Sequence, residues 1–430
     1  MFCDQCEQTA GGVGCTSRVG TCGKDEDIQS LQETLLYGLK GVAAYAFHAR
    51  QFEARDEEVD AFMHEALFQT LTNVNFDLNQ HLEMVLKCGE MNLKIMGLLD
   101  KVHTENFGNP SPTAVQTGTK AGGGILVTGH DLLDLFELLK QATGAGINVY
   151  THGEMLPAHG YPELKKFKHL VGNYGGAWQD QKKEFNSFSG PIVATTNCVM
   201  TPAPNTYLER FFTCNIVGLL GATRIQNRDF SEVIAKARAL TPLTEVPGKT
   251  IWTGFHHTAI LGLADKIVSL AKAGKIKHFF LIGGCDGAKP GRNYYTEFAE
   301  SVPKDCVILT LACGKYRFNK LDFGDIEGIP RLLDVGQCND AYSAIQVALA
   351  LSKVFNCGVN ELPLTLVLSW FEQKAVAILL TLLYLNIKGM YLGPTPPAFL
   401  TKNVFEVLKQ KYDLRLISTP KEDLKRILKL

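Results

Sequence analysis

Most of the chain repeats one local pattern: a short run of Val, Ile and Leu, then a Gly or polar turn, then a helix-like segment. Strands that are joined through a helix lie parallel to each other, so the pattern predicts parallel sheets with helices on both faces. A turn-rich break at 241–248 separates two rounds of the pattern, which indicates two doubly wound, Rossmann-like α/β domains at 111–246 and 247–430. The strand candidates are 125–127, 147–150, 191–195, 279–282, 307–311, 332–335 and 364–368.

The first 110 residues follow a different pattern. No proline occurs before Pro110, and between Asp25 and Lys101 apolar residues recur three and four positions apart, as they do in amphipathic helices. Three such stripes predict a helical bundle that ends at the turn formers of 107–113, so we expect an N-terminal domain of residues 1–110. The stripes are Leu31, Leu35, Leu39 and Val42; Val59, Phe62, Met63, Ala66, Leu67 and Leu71; and Leu82, Val85, Leu86, Met91, Ile95 and Leu98.

Charge and hydropathy limit the classes of function. The 43 Lys and Arg residues are balanced by 44 Asp and Glu residues, which disfavours nucleic acid as the main partner. The chain begins without a basic, apolar leader, and no apolar run reaches the roughly 18 to 20 residues of a membrane span. The most apolar stretch, 375–387, predicts a buried helix. We therefore expect a cytoplasmic protein with no membrane partner. In a reducing compartment, metal binding explains a set of twelve cysteines better than disulfides do.

A residue that can bind metal follows each of the seven consecutive predicted strands. Ligands collect at the carboxyl ends of parallel strands, because the loops and helix N-termini meet there. One cysteine after a strand is more often inert core, but the repetition argues against that interpretation. Four thiolates, one imidazole and two carboxylates exceed the four ligands of structural zinc and suit a polynuclear iron centre. The seven are His130, Glu154, Cys198, Cys285, Cys313, Cys338 and Glu372.

A second set of four cysteines, Cys3, Cys6, Cys15 and Cys22, lies at the N-terminus among glycines that let the backbone wrap around a compact group. Their spacing alone fits either zinc or an iron–sulfur cluster. The strand-end set favours iron and sulfur, because a reactive iron centre needs electrons delivered one at a time.

The other cysteines and histidines carry weaker signals. Cys88, Cys214, Cys306 and Cys357 stand beside apolar neighbours, and we expect them to be core residues. His152 and His159 flank Glu154 and are candidate proton donors, whereas His256 and His257 fit the cap of a following helix equally well.

Several local sequences together resemble one family, the hybrid cluster proteins, also called prismane proteins or hydroxylamine reductases. The resemblance spans nearly the whole chain. The sequences are the N-terminal cysteine loop, Thr128-Gly129-His130-Asp131, the segment 151–159, Thr195-Thr196-Asn197-Cys198, Gly283-Gly284-Cys285-Asp286, Cys313, Gly336-Gln337-Cys338 and Trp370-Phe371-Glu372-Gln373-Lys374.

The resemblance implies a role for each matching residue. It makes the four N-terminal cysteines ligands of a proximal cluster and the seven strand-end residues ligands of a hybrid [4Fe-2O-2S] cluster, with a persulfide on Cys285. Lys374 matches a lysine near that cluster. The chain is similar to a short form that lacks one helical bundle of the first domain. The interval from Cys6 to Cys15 resembles [4Fe-4S] members, whereas the interval before Cys22 resembles [2Fe-2S] members, so the proximal cluster is expected to be [4Fe-4S], with [2Fe-2S] as the alternative.

The implied activity is reduction of hydroxylamine, or of nitric oxide in the cell, with electrons from a ferredoxin or a flavoprotein. The residues expected to take part in catalysis are Glu154, Glu372, Cys285 and Lys374. Three other hypotheses stay open. A nickel–iron carbon monoxide dehydrogenase would contain stoichiometric nickel, a redox or nitrosative sensor would show no turnover, and a zinc-stabilised α/β protein would be colourless.

Overall fold

The computed structural model describes residues 2–429 of the chain. The helices are α1 (Glu26–Arg50), α2 (Glu57–Gln69), α3 (Leu78–Phe107), α4 (Leu132–Ala142), α5 (Pro162–Lys165), α6 (Gln181–Ser187), α7 (Ser231–Ala239), α8 (His257–Leu261), α9 (Ala264–Lys272), α10 (Asn293–Ser301), α11 (Ala341–Phe355), α12 (Gln373–Tyr384), α13 (Lys402–Tyr412) and α14 (Pro420–Leu428). The strands are β1 (Thr113–Gln116), β2 (Gly123–Thr128), β3 (Ile147–His152), β4 (Leu170–Asn173), β5 (Ile192–Ala194), β6 (Phe211–Thr213), β7 (Thr223–Arg224), β8 (Thr250–Thr253), β9 (His278–Gly284), β10 (Cys306–Leu311), β11 (Asp325–Ile326), β12 (Ile329–Pro330), β13 (Leu332–Gly336), β14 (Leu364–Ser369), β15 (Tyr391–Gly393) and β16 (Arg415–Leu416).

These elements form two compact units, a terminal unit of Met1–Val102 and Gly358–Leu430 and a central unit of His103–Cys357. The predicted α/β class, with a helical N-terminal region and parallel sheets, is confirmed. The predicted division into three domains at 110 and 246 differs from the division into these two units, one of which joins residues from both ends of the chain. The three-domain division therefore stays a prediction.

In the terminal unit, α12 packs against α1 and α3 at positions where glycine leaves room. A Cβ atom on Gly41 would lie 2.6 Å from the Cβ of Ala377, and one on Gly89 would lie 2.1 Å from the carbonyl oxygen of Leu380. Thr381 donates a hydrogen bond of 2.8 Å to the carbonyl of Gly89. The stretch 375–387 thus contributes a buried helix, as its composition predicts, and β14, β15 and β16 pair in parallel beside it.

The apolar stripes of the bundle are confirmed with one correction. Leu35 and Val42 on α1 are fully buried, but Leu67 and Leu71 are about half exposed. The buried face of α2 includes Val59, Phe62, Ala66 and Gln69, and Leu67 lies to one side of that face. Leu71 lies beyond the end of the helix.

The central unit contains a six-stranded parallel sheet in the order β4-β3-β2-β5-β6-β7. The strand order reverses between β2 and β5, which is the point where doubly wound sheets bind ligands. In a second parallel set, β10 pairs with both β13 and β9.

All the predicted strand candidates are confirmed as strands, but they are not consecutive. The prediction missed β4, between β3 and β5; β6, β7 and β8, between β5 and β9; and β11 and β12, between β10 and β13. These strands are only two to four residues long. Runs so short carry no periodic signal, which explains the error.

Candidate metal centre

Three of the predicted ligands converge in the central unit. The donor atoms of His130, Glu154 and Cys338 all lie within 4.8 Å of one another. Nε2 of His130 is 3.2 Å from Oε2 of Glu154, and the backbone N–H of Cys338 donates a 2.8 Å hydrogen bond to the same oxygen. All three side chains are buried. One nitrogen, one oxygen and one sulfur donor are therefore held together by residues that follow three different strands.

A small cavity of about 10 Å³ lies beside these donors. Besides His130 and Glu154, its walls include Cys198 and Cys313. Non-ligand side chains also line it, among them His152, Trp178 and Gln181.

The electrostatics of the site link the cysteines to this cavity. Burial raises the pKa of the Cys313 thiol well above its ordinary value, and the nearby acidic groups of Glu154, Cys198 and Cys285 raise it further. When acidic groups lie this close together, each negative charge makes it harder for the next group to ionise. A bound metal cation would offset this repulsion and stabilise the thiolates. The donor set thus fits a cationic metal group. We call His130, Glu154, Cys198, Cys285, Cys313 and Cys338 the strand-end centre.

Positive φ angles occur at or next to three of the proposed ligands. Gly129, just before His130, has φ of 113°, and a Cβ atom there would lie 2.3 Å from Oγ1 of Thr195. Cys198 and Ala312, which precedes Cys313, also have positive φ values, of 68° and 61°. Left-handed conformations cost free energy in residues other than glycine and cluster at functional sites. Three strand ends therefore carry the local distortion expected of a built binding site.

Hydrogen bonds from two further side chains hold the proposed ligands in place. Oγ1 of Thr196 lies 2.6 Å from Nδ1 of His130, which leaves Nε2 directed at Glu154. The amide of Gln181 donates to the carbonyl oxygen of Cys198 at 2.6 Å. The sequence gives neither residue a role in the site, although Thr196 lies in one of the local sequences that resemble the family, because a hydrogen bond from a single side chain leaves no pattern in a sequence.

The loop that carries Cys285 is held by its neighbour Asp286. The Asp286 carboxylate accepts from Nε of Arg317 at 2.8 Å and from the amide of Gln179 at 2.8 Å, and its backbone carbonyl accepts from the Trp178 indole at 3.0 Å. Trp178 also lines the site cavity, so these bonds connect the Cys285 loop to the cavity wall.

The two histidines that flank Glu154 have different environments. His152 lines the cavity, with Nδ1 3.1 Å from Oγ1 of Thr128 and Nε2 2.9 Å from Oε2 of Glu184. His159 is bonded to Thr151 at 3.0 Å, and burial lowers its pKa to about 4. His159 is therefore uncharged at neutral pH. The proton-donor role remains a prediction for both.

Glu372 and Lys374 belong to the terminal unit. Glu372 follows β14 and occupies the cap position of α12, as the strand-end pattern predicts. Lys374 is buried, with its Nζ 5.9 Å from the centre of the Tyr45 ring. Their roles at a cluster remain predictions.

The N-terminal cysteine loop, residues 3–22, is more open. Cys3 and Cys15 pair through two backbone hydrogen bonds of 3.1 and 2.8 Å, whereas Cys22 is exposed. Sγ of Cys15 lies 3.4 Å from the Thr21 hydroxyl, and this hydrogen bond lowers the thiol pKa to about 7. A thiol that ionises readily is a better metal ligand, because the thiolate is the binding form.

The remaining cysteines and histidines mostly lie where the sequence predicts. Cys88, Cys214 and Cys306 are buried, but the prediction of a core role is wrong for Cys357, which lies half-buried in the loop after α11. His256 caps α8 by accepting a hydrogen bond from the backbone of Thr258, so the capping hypothesis is confirmed for that residue.

The helices of residues 2–429 include none with the length and apolar character needed to cross a membrane.

Comparison with known sequences shows which family the whole chain is similar to. The model of the Prismane/CO dehydrogenase family matches residues 1–85 and 77–425. A hydroxylamine reductase of Moorella thermoacetica is 70% identical over 428 residues and matches along the whole of both chains. One of Thermotoga maritima is 52% identical over 431 residues, again along the whole of both chains.

Another relative is longer than this chain. The hydroxylamine reductase of Geobacter sulfurreducens is 47% identical in an alignment of 548 positions that covers 100% of this chain and 99% of the relative. The relative is therefore longer than this chain, although both are matched almost in full. The family model also matches this chain in two pieces, whose ends meet at 77–85.

Among solved structures, carbon monoxide dehydrogenase IV from Carboxydothermus hydrogenoformans is similar with a TM-score of 0.80. It is 16% identical, and the match covers 99% of this chain and 92% of that one. At this identity the likeness shows a shared fold.

Proposed function

Because this chain belongs to the Prismane/CO dehydrogenase family, we propose that it is an iron–sulfur enzyme that reduces hydroxylamine to ammonia and water. The observation that carries the proposal is the meeting of a nitrogen, an oxygen and a sulfur donor from His130, Glu154 and Cys338 within 4.8 Å. A mixed donor set of this kind suits iron with an exchangeable position better than it suits a closed structural zinc site.

The proposed ligands of the hybrid [4Fe-2O-2S] cluster are the strand-end centre together with Glu372, with a persulfide on Cys285. The four cysteines of the N-terminal loop are the proposed ligands of a [4Fe-4S] cluster, or a [2Fe-2S] cluster. When bound, these groups supply a Lewis-acidic iron site and the storage and relay of electrons.

The residues of the chain bind, orient and protonate the substrate. NH2OH, two electrons and two protons give NH3 and H2O. The carboxylate of Glu154 is a harder ligand than the thiolates, so we assign the exchangeable side of the site to it and to Glu372. His152 lines the cavity, where its hydrogen bond with Glu184 can hold a proton near the substrate, and Lys374 is the second candidate donor. The burial of the site excludes bulk water and strengthens each of these interactions.

The proposal is tested by anaerobic purification followed by quantitation of iron, sulfide, nickel and zinc, with hydroxylamine-dependent oxidation of a reduced viologen measured on the same sample. We expect iron and sulfide in amounts that fit two clusters, together with turnover. Stoichiometric nickel would replace the proposal with a carbon monoxide dehydrogenase, and zinc alone would replace it with a structural role. Iron without turnover would leave a redox sensor whose partner is an electron-transfer protein.

A further inference from the structure

Gln337 lies between the end of β13 and the proposed ligand Cys338, and its side chain is 2% exposed. Its amide nitrogen donates one hydrogen bond of 3.1 Å to the backbone carbonyl of His130 and one of 2.8 Å to that of Glu154. A side-chain amide has two N–H donors, so both are used on the backbones of two proposed ligands.

These bonds connect strands that share no ladder of backbone hydrogen bonds. His130 and Glu154 follow β2 and β3, which are neighbours in the six-stranded sheet, whereas β13 pairs with β10. The Gln337 amide therefore links the end of β13 to the backbones that follow β2 and β3. Cys338, the next residue, donates its own N–H to Oε2 of Glu154, so the two links act at adjacent positions of one segment.

The backbone of Gln337 is itself held by a hydrogen bond. The N–H of Gln337 donates a 2.6 Å hydrogen bond to Oδ2 of Asp340, which also follows Cys338 in the same short turn. The two buried carbonyls need donors, because a buried carbonyl without a partner costs free energy. Glutamate has the same shape but would direct a carboxylate oxygen at both carbonyls, and asparagine has the donors but is one methylene shorter.

We propose that Gln337 is a positioning residue that sets the distances among His130, Glu154 and Cys338, and so the geometry of the metal group that they bind. The inference rests on the proposed function, because it concerns the same site. In this proposal Gln337 acts through the backbones of His130 and Glu154. Supporting partners of this kind change metal affinity or activity by about ten- to a hundredfold when they are lost.

The test compares the anaerobically purified wild-type protein with Gln337→Glu and Gln337→Asn. The readouts are iron content, the electron paramagnetic resonance spectra of the two iron centres, and kcat and KM for hydroxylamine. We expect Gln337→Glu to lower kcat about tenfold or more and to alter the spectrum of the strand-end centre, with the N-terminal cluster spectrum unchanged as an internal reference. Gln337→Asn should change the same spectrum less.

A matched control is Gln141→Glu. The amide of Gln141 also bonds to backbone groups of the central unit, donating to the carbonyl of Arg228 at 2.8 Å and accepting from the N–H of Phe230 at 2.8 Å. This substitution should leave both spectra and kcat unchanged.

The outcomes separate the inference from the function on which it rests. A normal wild type together with a Gln337→Glu protein of wild-type spectrum and kcat would overturn the inference alone. If Gln337→Glu does not fold, Gln337→Asn decides: an altered strand-end spectrum supports the inference, and an unaltered one refutes it. A wild type without a strand-end iron signal would overturn the proposed function and the inference together.

Discussion

The strand-end centre and the N-terminal cysteine loop are built in different ways. In the strand-end centre, the proposed ligands follow strands and most of them are buried. Positive φ angles occur at or beside three of them, and side chains such as Thr196 and Gln337 bond to them. In the N-terminal loop, the ligands range from buried Cys15 to exposed Cys22. The comparison shows that the fold holds the strand-end centre in place before a metal group binds. The N-terminal loop is more open, so a bound metal group would itself complete the structure of the loop.

The largest predicted effect concerns function at the strand-end centre. Cys338→Ala removes the sulfur donor beside His130 and Glu154, so we expect hydroxylamine reduction to fall by at least about a hundredfold, while the spectrum of the N-terminal cluster stays. Steady-state kinetics and electron paramagnetic resonance on the same sample check this. Cys306→Ala, a buried cysteine at the start of β10, serves as the control and should keep its activity. An active Cys338→Ala enzyme would remove Cys338 from the ligand set.

The second prediction tests preorganisation by the backbone. Gly129 and Gly144 both have positive φ, but a Cβ on Gly129 would lie 2.3 Å from Thr195, whereas nothing lies within 4 Å of one on Gly144. Gly129→Ala should therefore lower the free energy of unfolding by about 3 kcal/mol or more, through both strain and the clash. Gly144→Ala should lower it by only about 1 kcal/mol. Equal effects in urea unfolding would show that the strand end is not rigid.

The fold of the site was largely predictable, and its supporting contacts were not. Strands such as β2 and β10 are buried on both faces, so they appear in the sequence as continuous apolar runs, and a ligand after each can be recognised. Short strands such as β6 lack that signal. Thr196 contacts the imidazole of His130, and Gln337 contacts the backbone carbonyl of the same residue. Both contacts join residues that are distant in the sequence, so no local pattern encodes them.

The third prediction concerns the dependence of stability on pH. The folded pKa of His159 is about 4, against an ordinary value of 6.5, so the unfolded chain takes up the proton first as the pH falls. The contribution of His159 to the free energy of unfolding is complete above about pH 6.5 and is lost progressively as the pH falls to about 4. At pH 5 the loss is about 2 kcal/mol. His159→Gln should reduce the difference in unfolding free energy between pH 7 and pH 5 by that amount. An unchanged difference would contradict the buried, neutral state of His159.

The smallest effect is expected in the N-terminal loop. Arg18 and Glu26 form an ion pair of 3.1 Å in which the arginine side chain is 81% exposed. Because exposed pairs are screened by solvent, Arg18→Ala should change the free energy of unfolding by less than about 1 kcal/mol. Thermal or urea unfolding measures this, and a loss of several kcal/mol would show that the loop is as tightly built as the strand ends.

Anomalous diffraction at the iron absorption edge, on crystals grown without oxygen, tests the central claim most directly. We predict iron density that contacts Nε2 of His130, the carboxylate of Glu154 and Sγ of Cys338 together. Zinc in that position, or iron only at the N-terminal cysteines, would contradict the account.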